Sequence, residues 1–199
     1  MLVCKRPVTR PEDPPFLLQR PDCACDIRGL RQKSQVPDIV AKALAEEAIV
    51  GKHGNALQIY TDGSTNLVSG SSTGAFWCPA MALSWGGRID SQVSSKLVEL
   101  VGIQRALESR SSLTAQRLVA LTDSKCALQR IKNPRADDPI SRSILESWRQ
   151  LECDGFAVGF QWIPSHVGIP GNQEADRIAN SCHNLSPEIP TPHDPEHNR

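Results

Sequence analysis

Residues 56–64 read ALQIYTDGS and residues 117–124 read RLVALTDS. In the first, Leu57, Ile59 and Thr61 fall on one face of an alternating strand. The second, RLVALT, is apolar almost throughout, the pattern of a strand buried on both faces. Each ends in Thr-Asp, at Asp62 and at Asp123. Taken singly, both acids have ordinary explanations: Asp62-Gly63 suits a turn, and Asp123 suits a helix N-cap. Taken together they say more. The connection between the two segments contains a helix long enough for a parallel crossover. If the strands are neighbours, both carboxylates emerge at the carboxyl edge of one sheet, where open α/β sheets bind ligands.

Working outward, 74–78 (GAFWC) and 82–85 (ALSW), joined by Pro79-Ala80-Met81, read as antiparallel strands. Residues 95–109 form a helix with Leu97, Leu100, Val101, Ile103 and Leu107 apolar. A short helix spans 124–131, another runs from Pro139 to about 152, and 156–163 (FAVGFQWI) is a strand. The last helix, within 170–182, carries Ala175, Ile178, Ala179 and Cys182 at i, i+3, i+4 and i+7. This order gives an α/β fold, a mixed five-stranded sheet with helices on both faces.

Two more acids belong to the same problem. Glu99 shares a helix face with Ile103 and Ala106, a face expected to turn toward the sheet, where a lone carboxylate is costly unless a cation meets it. Asp176 lies early in the last helix, downstream of a strand running into a loop with His166. Four carboxylates in one pocket repel one another unless cations neutralise them. Hard oxygen ligands with room for water suit Mg²⁺ or Mn²⁺. Two such ions about 4 Å apart can activate water and stabilise the leaving oxygen of a phosphodiester.

Prolines mark the edges: segment 1–36 reads as an irregular or extended arm, and 185–199 as a disordered tail. Residues 38–50 suit a short amphipathic helix with Val40, Ala43, Leu44 and Ala48 apolar. The main domain is therefore placed at 55–184, with 1–54 as an N-terminal extension. Lys+Arg and Asp+Glu are both 22, so net charge points to no partner. Within 125–149, however, Lys125, Arg130, Lys132, Arg135, Arg142 and Arg149 outnumber Asp137, Asp138 and Glu146, a candidate phosphate-contacting patch. The four tryptophans suit a core better than base stacking. No stretch approaches the ~18 apolar residues of a membrane span. Seven scattered cysteines suggest reduced thiols and a cytoplasmic or nuclear setting; Cys23 and Cys25 are too closely spaced for a usual zinc knuckle.

Four pieces in order resemble the type 1 ribonuclease H domain: Tyr60-Thr61-Asp62-Gly63-Ser64; Lys96 to Leu107 (KLVELVGIQRAL) with Glu99; Leu121-Thr122-Asp123-Ser124; and WIPSHVGIPGNQEAD ending at Asp176. The acids are spaced by 37, 24 and 53 residues. SHVGIPGNQEAD, with LTDSKCAL upstream, is most similar to the domain that ends the polyprotein of non-LTR retrotransposons. The resemblance implies a ribonuclease H-like fold and a metal-dependent endonuclease that cuts the RNA strand of RNA–DNA hybrids. It implies Asp62, Glu99, Asp123 and Asp176 as metal ligands for two Mg²⁺ (or Mn²⁺) ions and His166 as a helper in proton transfer and product release. It implies Gly63, Ser64, Ser124 and Asn172 as substrate contacts. The expected partner is the hybrid, with a reverse transcriptase domain in trans a further candidate and a monomer the expected state. The alternative is a catalytically silent hybrid-binding remnant of a retrotransposon.

Overall fold

The computed structural model describes residues 20–30, 35–89, 95–109, 116–133 and 138–187. The strands are β1 (Asp22–Ala24), β2 (Leu57–Asn66), β3 (Ser71–Cys78), β4 (Leu83–Ile89), β5 (Arg117–Thr122) and β6 (Ala157–Trp162). The helices are α1 (Asp38–His53), α2 (Ser95–Glu108), α3 (Lys125–Lys132), α4 (Pro139–Cys153) and α5 (Pro170–Ser181).

Strand order is β1-β6-β5-β2-β3-β4. The β1–β6, β6–β5 and β5–β2 pairs are parallel, and β2–β3 and β3–β4 are antiparallel. The β2–β5 register sets Thr61 against Thr122, so Asp62 and Asp123 lie side by side where β5 ends, while β2 itself runs on to Asn66. Alternation along β2 assigns the layers. Thr61 and Gly63 face α2, whereas Tyr60 and Ser64 face α5. Helices α3 and α4 pack with α2, so helices cover both faces of the mixed sheet.

The sheet has six strands, not five. The additional one, β1, comes from the segment read as an irregular arm. Its three residues lack a run long enough to show alternation, and the parallel edge of β6 supplies the order that the sequence does not signal. Cys23, Ile27 and Leu30 from this segment join the core. The helix expected at 38–50 spans Asp38–His53 and buries a different face: Ala41, Ala45 and Ile49 turn inward, while Val40 is exposed. Small alanines at i and i+4 let the helix approach closely; the bulkier stripe suggested by hydrophobicity only skirts the core. The tail beyond Pro187 and positions 1–19, 31–34 and 134–137 lie outside the described residues.

Asp62-Gly63 is no turn. Both residues sit within the ten-residue strand β2, paired with Ala75 and Gly74, and the chain reverses only after Asn66. The glycine answers to packing: a Cβ on Gly63 would lie 2.7 Å from the Glu99 N and 2.8 Å from the Val98 carbonyl carbon. Gly102 is pressed equally close, since its Cβ would lie 2.7 Å from the Ala75 O and 3.0 Å from the Asp62 O. Two bare backbones thus let α2 rest directly on β2 and β3, which brings Glu99 to the end of the sheet.

Candidate active site

The carboxyl ends of β2 and β5, the first turns of α2 and α5 and the β6–α5 loop enclose a cleft of about 480 Å³. Asp62, Glu99, Asp123, His166 and Asp176 all line it. Asp62, Glu99 and Asp123 each present an oxygen within 4.8 Å of the others. Asp62 is buried, the other three acids are half-buried, and His166 is exposed.

Burial and like charge both act against ionisation here. Burial, then Asp123 and Asp176, pushes the Asp62 carboxyl up to about 8, although the Gly63 N–H pulls the other way. Burial, then Asp62 and Asp123, raises Glu99 well above its usual range, against hydrogen bonds from Thr122 and Gly63. Glu99 Oε2 is buried with no hydrogen-bond partner. A buried carboxylate oxygen left unpaired is expensive, and a cation between these acids would relieve both that cost and the repulsion. The donor set, all hard oxygen, fits a divalent cation of the Mg²⁺ type.

The neighbours expected to touch substrate are engaged in building the site. Asn172 is buried, and its Nδ2 donates to Asp123 Oδ2 at 3.3 Å, so it orients a carboxylate. The N-cap of α3 is Ser124, not Asp123: its hydroxyl accepts from the Ala127 N–H, which leaves the Asp123 side chain at the cleft. Ser64 lines the cleft while its hydroxyl meets Asn180 Oδ1 and His183 Nε2, each at 2.9 Å. Gly63 serves the helix–strand contact described above. His166 stands in a left-handed backbone conformation, φ 52°, one that histidine adopts more readily than bulky residues. Buried Pro164, Val167 and Ile169 anchor its loop.

Sequence reasoning passed over His183. Its Nδ1 lies 2.7 Å from the Ser71 hydroxyl, so the ring ties β2 and β3 to the end of α5. No motif could have shown this, because the partners are 112 and 119 residues away. The basic patch is partly consumed by structure: Arg130 binds buried Asp138 at 2.8 Å. Burial drives the Asp138 carboxyl up, but Ser141 and Arg130 outweigh it and hold it below the usual range. Arg135 and Asp137 lie outside the described residues. Trp148 and Trp162 are core residues, while Trp77 and Trp85 pack against the core from its margin.

The RNase H family model matches residues 54–183, the stretch that carries all four acids and the histidine. The chain belongs to the RNase H family. That family is metal-dependent, in keeping with the acidic cluster. Among its relatives, Ribonuclease H1 of Rattus norvegicus is 26% identical over 160 residues, covering 71% of this chain and 55% of that protein. Ribonuclease H of Stutzerimonas stutzeri (strain A1501) is 29% identical over 143 residues, covering 62% of this chain and 89% of that protein. Ribonuclease H1 of Mus musculus is 27% identical, with coverages of 63% and 50%. The chain thus spans about half the length of the rodent proteins and most of the bacterial one. β1 and all but the last residues before β2 lie outside the family match.

Proposed function

We propose that the chain hydrolyses the RNA strand of RNA–DNA hybrids, using a pair of divalent cations, Mg²⁺ or Mn²⁺. The observation that carries this reading is the meeting of Asp62, Glu99 and Asp123 within 4.8 Å, with Asp176 and His166 on the same cleft. Those four acids would hold the cations. When bound, such ions draw a nucleophile from water at neutral pH and stabilise the departing oxygen of the phosphodiester. The protein's own part is positional. Asn172 steers the Asp123 carboxylate, Gly63 and Gly102 set the depth of Glu99, and the anchored loop holds His166 at the rim. From there the imidazole can take or give a proton at a ring nitrogen and help free the product. Cleavage of this kind leaves a 3′-hydroxyl and a 5′-phosphate.

The names of the relatives support the reaction, and the SHVGIPGNQEAD segment supports an origin in a non-LTR retrotransposon. On that origin a reverse transcriptase domain acts in trans, and the chain works as a monomer. A cytoplasmic or nuclear setting is supported by Cys23, Cys78 and Cys182, which pack in the core as small apolar groups.

The test is a panel of end-labelled duplexes in Mg²⁺ at one salt concentration. The hybrid should be cut. Double-stranded DNA and a hybrid with 2′-deoxy sugars at the cut should be spared, because the 2′-hydroxyl is the group that distinguishes RNA from DNA. Equal cleavage of DNA duplex and hybrid would overturn the assignment, and binding without cleavage would make the chain the silent module instead.

A further inference from the structure

Lys125 opens α3 two residues beyond Asp123, and it is the only Lys or Arg among the described residues lining the acidic cleft. Its Nζ lies 4.1 Å from the centroid of the Trp162 ring and 3.1 Å from Asp26 Oδ1. The ring is itself fixed to the site, because Trp162 Nε1 donates to the Asp123 carbonyl oxygen at 3.0 Å. Asp26 comes from the segment outside the family match, two residues past β1, and the β1–β6 pairing places it there. The ammonium is therefore held from below by an aromatic face and from the side by a carboxylate, while a third of the lysine side chain remains exposed.

We propose that Lys125 contacts a backbone phosphate at the mouth of the cleft and that Asp26 competes with that phosphate for the lysine. The proposal rests on the reading of the chain as a hybrid hydrolase. An ammonium has three donors, of which Asp26 engages one, so a phosphate can approach with the lysine still seated on Trp162. Asp26 is 82% exposed, so its hold is weak and an incoming phosphate can displace it. The acids deeper in the cleft repel a phosphodiester until cations bind, and a positive group at the rim counters that repulsion during approach. The Arg130 side chain, by contrast, is turned to Asp138 and away from this task.

The experiment measures binding of a fluorescein-labelled RNA–DNA hybrid by anisotropy across a salt series, with Ca²⁺ replacing Mg²⁺ to suppress cleavage. Lys125→Gln should weaken binding about 3–10-fold near 0.1 M salt and lower the steepness of the log–log salt dependence by about one. Lys125→Arg should restore both, since guanidinium keeps the charge and stacks on tryptophan. Asp26→Asn should do the opposite, tightening binding about 2–4-fold, the amount a weak surface pair allows; Asp26→Glu should match wild type. In Mg²⁺, Asp26→Asn should lower KM. An unchanged salt slope in Lys125→Gln, or weaker binding in Asp26→Asn, would overturn the proposal. A wild type that binds hybrid but does not cut it would sink the hydrolase reading, while the slopes would still judge Lys125. A wild type that binds no hybrid would overturn both.

Discussion

Asp62 is buried among other acids, and its carboxyl holds a proton up to about pH 8 where an ordinary aspartate loses it near 4. Between those limits the folded chain binds a proton that the unfolded chain has released, so metal-free stability falls as pH rises across that window. Asp62→Asn removes the penalty. In chelator at pH 8 the variant should be more stable than wild type by roughly 1–3 kcal/mol, with the gap closing toward pH 4, as thermal melts would show. A variant less stable than wild type at pH 8 would contradict this electrostatic picture. The acids themselves were legible because Thr-Asp closes two apolar strand patterns and two helices carry acids on faces that turn inward. Their supporting residues were not. Asn172 and Ser124 are expected to touch substrate, and the structure adds a supporting role for each, one donating to Asp123 and the other capping α3. Such assignments depend on the direction of a side chain, which spacing does not encode.

At the scale of the elements, the site depends on how closely α2 lies against β2 and β3. Gly63→Ala would drive a methyl into the backbone of Val98 and Glu99, which cannot give way as a flexible side chain would. The expected cost is about 1–3 kcal/mol of stability, as for other overpacked sites. Glu99 should shift with its helix, and a displacement near 1 Å should slow hybrid cleavage by about 10²-fold. Urea unfolding together with single-turnover rates would check both, and a stable, fully active Gly63→Ala would show that the close contact is dispensable. α2 itself was readable, since Leu97, Leu100, Val101, Ile103 and Leu107 are all buried as its periodicity requires. The strand–glycine contact was not, because Asp-Gly is a local turn signal that tertiary pairing overrode. α1 misled for a related reason: its buried stripe consists mainly of alanines, which a hydrophobicity pattern undervalues.

Across the whole molecule, the order of strands and helices from 56 onward was legible, because each element carries its own periodicity and the crossover rules fix how they connect. What the order could not show was the use made of the preceding segment. β1 extends the sheet beside β6, Cys23, Ile27 and Leu30 enter the core, and Asp26 reaches Lys125 at the cleft. Removing all of 1–36 would therefore strip part of the core, since burying Ile27 and Leu30 is worth roughly 2 kcal/mol each. The cleft is thus lined by residues from 62 to 176, and its acids have one common purpose only if cations join them. The most direct measurement is the single-turnover rate of hybrid cleavage as Mg²⁺ is titrated into chelated protein, for wild type and for Asp62→Asn. Wild type should rise from no cleavage to a plateau, and Asp62→Asn should stay about 10²–10³-fold lower or more at every Mg²⁺ concentration, since loss of one charge-stabilising group from a reaction centre costs about that much. Cleavage that persists in chelator, or an Asp62→Asn variant that follows the wild-type curve, would contradict the assignment of these carboxylates to a cation-binding centre.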